Sequence, residues 1–181
     1  MLETERLLLR RWKESDREPF AAINADPRVM EFFPGTLTRE ESDALIDNIE
    51  SHFVNHGFGL FAAELKAEQK LIGFIGLHVA GFQAHFTPCV EIGWRIGKEY
   101  WGKGLATEGS QAVVRWAFDR LTLDSLVSFT VPENVASRRL MEKLGMTHDP
   151  ADDFDHPKLP PGHRLRKHVL YRLKNPNVRP G

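Results

Sequence analysis

The twenty residues from Val90 to Gly109, V-E-I-G-W-R-I-G-K-E-Y-W-G-K-G-L-A-T-E-G, constrain this chain more than any other stretch. An apolar, β-prone run (Val90, Ile92, Trp94, Ile96) leads to a turn carrying Gly102 and Gly104, and the turn opens directly into an amphipathic helix. Strand, glycine turn and helix start together form an anion-binding device. Glycines let a ligand approach the backbone, the first amides of a helix lack intrahelical acceptors, and the helix dipole favours negative charge at that end. A diphosphate suits such a cradle.

Two nucleotide-binding patterns compete for the segment, and both fit poorly. The dinucleotide fingerprint requires G-x-G-x-x-G, but Thr107 stands where its third glycine belongs. The phosphate loop of nucleotide hydrolases requires G-x-x-x-x-G-K-[ST]. Gly97 to Lys103 match its spacing, yet Gly104 replaces the hydroxyl residue that would hold magnesium. Tyr100 and Trp101 are also bulky for a loop wrapped tightly around phosphates.

The rest of the chain narrows the setting. A length of 181 residues fits one domain with a substantial core, and we assign residues 1–175 to it, with 176–181 as a loose tail. Hydrophobic residues at 41% and charged residues at 27% exclude wholesale disorder. A formal net charge of −1 provides no global basic field to recruit nucleic acid or an anionic membrane. No apolar run approaches the roughly 18 residues of a membrane span. The start, Met-Leu-Glu-Thr-Glu-Arg, lacks the apolar segment of a secretory signal, and the single cysteine, Cys89, cannot form an internal disulfide. A cytoplasmic location is expected.

Periodicity gives the order of elements. Leu7 to Trp12 reads as a strand, and Ser15 and Asp16 offer N-caps for a short helix with Phe20 and Ile23. Thr38 and Glu41 form a capping box for a helix that buries Leu45, Ile49, His52 and Phe53 and stops at Gly57. Residues 58–65 and 70–79 read as an antiparallel hairpin, and Val90 to Ile96 continues the sheet. A helix from Leu105 to Leu121, a strand from Leu126 to Val131, a helix capped by Asn134 and closed by Gly145, and a last strand near Val169 to Leu173 complete the chain. The order β-α-α-β-β-β-α-β-α-β predicts a mixed α/β sheet.

In that order the glycine segment resembles motif A of the GNAT acyl-CoA N-acyltransferases. The family pattern is Gln or Arg, two residues, Gly, one residue, then Gly or Ala. Here it stands as Glu99, Gly102 and Gly104, so its first position departs from the usual residue. E-I-G-W followed by Y-W-G-K-G-L-A-T-E resembles the branch of ribosomal-protein N-terminal acetyltransferases (RimJ/RimL-like). Asn134 to Met146 resembles motif B, and H-V-L-Y-R-L resembles that branch's final strand. The resemblance covers nearly the whole chain in order.

It implies an α/β (α+β) fold with a mixed, mostly antiparallel twisted sheet, splayed at its central strands and flanked by helices. It implies acetyl-CoA as cosubstrate, with its diphosphate on the backbone of Gly102, Lys103, Gly104, Leu105, Ala106 and Thr107. The pantetheine arm would pair with the strand edge at Trp94, Arg95 and Ile96 and meet Asn134 and Ser137 on its other side. The acceptor would be a primary amine, on a protein N-terminus or a small molecule, and the assembly allows a homodimer.

Acyl transfer from a thioester needs a neutral amine. An ordinary α-amino group has a pKa of about 8 and lysine about 10.4, so modest base assistance suffices. By resemblance to the E-I-G glutamate of the branch, Glu91 is the candidate base, acting through water. Its alternative role is an exposed strand carboxylate with a structural partner. Glu91→Gln is then expected to cost most at low pH. A backbone amide near Gly93 or Trp94 would stabilise the oxyanion.

Many relatives carry a tyrosine acid in the motif B helix where this chain has Met141. Ser137 is the nearby hydroxyl, either donating to the departing sulfur or serving the first turn of a capped helix. Phe32, Phe33 and the Asp152 to Asp155 segment are candidates for the acceptor pocket, where an aromatic pair and carboxylates could hold a cationic amine. His148, His156, His163 and His168 lack the i, i+4 helical spacing of a zinc site, so no metal is expected. The rival function is a catalytically silent acyl-CoA-binding module acting as sensor or scaffold.

Overall fold

A computed structural model describes residues 1–178, and the expected tail therefore lies partly outside the described residues. The fold gathers into two compact units, one of Met1–His78 with Gly93–Val113, the other of Val79–Ile92 with the chain from Val114 onward. Two strands and a helix each run from one unit into the other, so no linker divides the chain.

The first unit begins with β1 (Leu2–Glu3) and β2 (Leu7–Arg10), followed by α1 (Arg17–Ala25) and α2 (Arg39–His56), then β3 (Leu60–Leu65) and β4 (Lys70–Val79). These strands form an antiparallel array, with Leu2 opposite Leu9, Leu7 opposite Leu65 and Leu60 opposite Gly76. Leu7 and Leu9 alternate inward and are fully buried. At Gly76 a Cβ would stand 2.2 Å from the Gly59 carbonyl oxygen, so only glycine lets the two strands of this hairpin meet. The capping box opens α2 as the sequence predicts. Thr38 Oγ1 accepts from Glu41 N at 3.2 Å, and Glu41 Oε2 accepts from Thr38 N at 2.8 Å. Gly57 closes it at φ 75°.

Three local expectations change here. β2 ends at Arg10, two residues short, and a two-residue strand precedes it. Asp16 occupies the N-cap position of α1 without capping it, because both its carboxylate oxygens accept from the Arg10 guanidinium, at 2.7 and 2.8 Å. The inner face of α2 carries Ser42, Ile46, Ile49 and Phe53, and Leu45 is only half-buried.

The next strand, β5 (Val90–Ile96), enters the first unit at Gly93, and the helix α3 (Leu105–Arg120) leaves it after Val113. Two close approaches fix them. Gly73, at φ 140°, lets β4 pass so near β5 that a Cβ would stand 1.9 Å from the Arg95 carbonyl oxygen. Gly109 brings α3 down onto β4 and β2, where a Cβ would lie 2.4 Å from Ile75 Cδ1 and 3.2 Å from Leu7 Cδ1.

In the second unit the start of β5 runs parallel to β6 (Ser125–Thr130), with Glu91 opposite Val127. β6 pairs antiparallel with the last long strand, β9 (Lys167–Lys174), through six pairs from Ser125–Lys174 to Thr130–Val169. Two-residue strands β7 (Thr147–His148) and β8 (Phe154–Asp155) also join β9. Between β6 and β7, α4 (Val135–Lys143) packs Leu140 and Met141 inward, with Gly145 at φ 80° beyond it. Ala136, on the same helix, is exposed. The loop before β5 folds Phe82 and Phe86 against Phe129 and Phe154, over Val127 and Leu170. The mixed α/β class and the mostly antiparallel pairing are as predicted. Among the described residues, no helix is long and apolar enough to cross a membrane.

Candidate active site

The glycine turn lies wholly in the first unit and is built from the end of β5. Gly97 N donates to Ile72 O at 2.8 Å, locking the strand end to β4. One turn of 3-10 helix follows over Lys98–Tyr100, and it buries the Tyr100 ring. The Trp101 indole reaches back to donate to Ile96 O at 2.7 Å. Gly102 and Gly104 then take φ values of 72° and 76°, which L side chains rarely adopt. Leu105 starts α3, whose first intrahelical bond runs from Glu108 N to Gly104 O at 3.0 Å. The amides of Leu105, Ala106 and Thr107 precede that bond and stand in the positions where helix amides lack intrahelical acceptors.

The protein itself leaves room at both glycines. A Cβ at Gly102 would meet no protein atom within 4 Å, and one at Gly104 would meet only Arg6 Nη2, at 3.6 Å. The backbone angle, not protein crowding, demands glycine, and the space above both residues is open. Leu105 is buried and anchors the helix, while Gly102, Lys103 and Gly104 are exposed.

A network absent from the sequence reading braces this turn. Glu108, in the first turn of α3, accepts from Thr4 Oγ1 at 2.6 Å, Arg6 N at 2.9 Å and Arg6 Nε at 2.6 Å. Arg6 Nη1 donates to Lys103 O at 2.9 Å. Arg6 and Glu108 stand 102 positions apart, and nothing local marks them as partners.

Of the three strand positions expected at the pantetheine edge, Arg95 turns its carbonyl toward β4 and Ile96 gives its carbonyl to Trp101. Backbone polarity alternates along a strand, so Trp94 and Ile96 direct their amides away from β4. The Arg95 side chain is buried. Its guanidinium lies 4.2 Å from the Phe33 ring and 5.3 Å from the Phe74 ring, and Nη1 donates to Asn24 Oδ1 at 2.6 Å. Among the described residues its Nε has no hydrogen-bond partner, and burial pushes the group down to about 10. Phe33 is thus joined to the strand through a cation–π contact, and Phe32 is half-buried beside it.

In the second unit, Glu91 faces the same side of the sheet as Val127. Part of its surface remains accessible, yet desolvation dominates and pushes its carboxyl up to about 8. Asn134 caps α4: its Oδ1 accepts from Ser137 N at 3.2 Å, and its Nδ2 donates to Thr130 Oγ1 at 3.0 Å. Both ends of that side chain are engaged within the protein. Ser137 is half-buried in the first turn of α4, and Met141 is buried at 1% exposure.

The acidic segment was expected to attract a cationic amine, but its carboxylates have partners. Asp152 accepts from Arg172 Nε at 2.6 Å, Asp153 from His148 Nε2 at 2.7 Å, and Asp155 from Arg166 Nε at 2.9 Å. Burial and the nearby Glu91 charge push the Cys89 thiol up to about 11, which leaves it a poor nucleophile at neutral pH. Among the described residues, no three His, Cys, Asp or Glu side chains form a group able to hold a metal ion.

Comparison with known proteins agrees with the fold. A family model described as an acetyltransferase (GNAT) domain matches residues 6–147, and the chain belongs to this family of acetyl-CoA-dependent acyltransferases. It is 30% identical over 154 residues to a Bacillus subtilis protein named uncharacterized N-acetyltransferase YnaD, covering 82% of this chain and 83% of that protein. A GNAT-family acetyltransferase structure from Bacillus anthracis superposes with a TM-score of 0.79 at 27% identity, covering 96% of this chain and 98% of its own. The ribosomal-protein-S5-alanine acetyltransferase of Vibrio fischeri shares the fold, with a TM-score of 0.75 at 22% identity over 98% of each chain.

Proposed function

We propose that this protein transfers the acetyl group of acetyl-CoA to a primary amine by direct attack in a ternary complex. The observation that carries the reading is the pair of left-handed glycines, Gly102 and Gly104, opening α3 beneath open space. Backbone amides from Gly102 to Thr107 grip the diphosphate, where the helix dipole adds to their attraction. The pantetheine arm pairs with the strand edge at Trp94, Arg95 and Ile96, and Asn134 and Ser137 also bind it. Because the Asn134 side chain is spent on the cap, its contribution to the arm is through the backbone.

Glu91 takes a proton from the attacking amine through a water molecule. The C–N bond forms as the C–S bond breaks, and coenzyme A departs as a thiolate, a leaving group that needs little protonation. Ser137 is placed in the donor role toward that sulfur. Phe32 and Phe33 border the acceptor, which is a protein N-terminus or a small-molecule amine.

Burial of Met141 favours a second reading, since that position offers no phenol to the departing sulfur: a module that binds acyl-CoA without turning it over. Thiol release from acetyl-CoA across a panel of amines separates the two. Amine-dependent release supports the enzyme. Tight binding of acetyl-CoA with no acetylated product from any amine supports the module.

A further inference from the structure

Glu108 puts a carboxylate in the first turn of the helix that receives the diphosphate in the proposed function, on which this inference rests. Left alone, that charge would repel a phosphate dianion and oppose the helix dipole that attracts it. It is not left alone. Burial acts most strongly and opposes ionisation, yet the bonds from Thr4, the Arg6 amide and the Arg6 guanidinium together hold the Glu108 carboxyl below its ordinary value. The Arg6 fork spans two groups at once, Nε on Glu108 Oε2 at 2.6 Å and Nη1 on Lys103 O at 2.9 Å. This leaves Nη2 as the nearest atom to a Cβ built on Gly104, at 3.6 Å. The Arg6 side chain is 44% exposed, so solvent reaches it beside the open glycines.

We propose that Arg6 is a phosphate-site residue: it cancels Glu108, ties down the Lys103 carbonyl and presents Nη2 to the coenzyme's diphosphate. Arginine suits the task because a planar fork serves three acceptors in fixed directions, which a lysine ammonium on a flexible stem cannot reproduce. The connection between the first two strands thereby acts on the cradle from a distant part of the sequence.

The test compares two acetyl donors, acetyl-CoA and acetyl-pantetheine, the latter lacking the diphosphate. Arg6→Ala should raise KM for acetyl-CoA about tenfold or more, and far less for acetyl-pantetheine. A residue that only supports the fold as a whole would weaken both donors alike. Restoring neutrality supplies the second arm: Arg6→Ala with Glu108→Gln should bind acetyl-CoA about threefold or more tightly than Arg6→Ala alone, since an uncovered carboxylate is worse than an amide. Arg6→Lys should fall between wild type and Arg6→Ala.

Equal losses for the two donors, or a double variant no better than Arg6→Ala, overturns the role of Arg6. Gly104→Glu keeps the parent reading separate. If it leaves acetyl-CoA affinity unchanged, the coenzyme placement fails and takes this inference with it. If Gly104→Glu abolishes binding while Arg6→Ala leaves it intact, only the inference fails.

Discussion

Because burial pushes the Glu91 carboxyl up to about 8, the residue is mostly protonated at neutral pH and gains its basic form only as the pH rises through that value. This reverses the expectation drawn from the sequence. Glu91→Gln should cost most above pH 8, where the wild-type carboxylate is ionised, about tenfold in turnover at pH 9 against less than about threefold at pH 6. The ratio of wild-type to variant rates is the quantity to follow, because deprotonation of the acceptor amine is common to both. A ratio independent of pH would remove Glu91 from proton transfer. The same group makes a stability prediction. Its folded value lies above its ordinary 4.5, so the folded state holds a proton that the unfolded state has released, and stability falls as pH rises between those values. The melting temperature of Glu91→Gln should therefore fall less than that of wild type between pH 5 and pH 8. At this scale the sequence revealed the glycine turn, because special backbone angles demand a recognisable residue. Arg6 and Glu108 were invisible, since a pair 102 positions apart leaves no local pattern, and the occupied carboxylates of Asp152, Asp153 and Asp155 were hidden for the same reason.

The element that controls the cradle is α3, and its height over the sheet is set at Gly109. A Cβ there would stand 2.4 Å from Ile75 Cδ1, so Gly109→Val must lift the helix or displace Ile75. Overpacking of this kind costs about 1–3 kcal/mol, readable by urea denaturation, and the shifted amides should weaken acetyl-CoA binding as well. Unchanged stability and affinity would show that α3 is not held by this contact. The cap of α4 is a milder case: Asn134→Ala removes bonds to Ser137 N and Thr130 Oγ1 and should cost about 1 kcal/mol. Capping chemistry was legible in advance at Thr38, Glu41, Gly57, Asn134 and Gly145, because caps are local rules. It misled at Asp16, where a buried arginine outcompeted the helix end for the carboxylate. The inner face of α2 slipped by one residue, from Leu45 to Ile46, because two adjacent apolar residues suit the period equally well.

For the molecule as a whole, coenzyme affinity and folding stability are one linked quantity. A ligand present at a hundred times its Kd stabilises the folded state by about 2.7 kcal/mol, so saturating coenzyme A should raise the melting temperature by several degrees. Gly104→Glu should abolish that rise; the left-handed backbone there also costs about 1–2 kcal/mol, so its ligand-free melting temperature should fall by a few degrees while the variant stays folded. A rise that persists in this variant would place the ligand elsewhere. The strand and helix order was readable from the sequence because it rests on periodicity. The division into two compact units was not, because it depends on which strands and loops meet across long stretches of chain. Gly73, Gly76 and Gly109 carry a consequence for anyone surveying variants wholesale. In a saturation screen scored by activity alone, these three would look as indispensable as the cosubstrate glycines, although none of them has any chemistry to perform. Scoring protein abundance alongside activity would sort them: the packing glycines should fail on both measures, and Gly104 should lose far more activity than abundance.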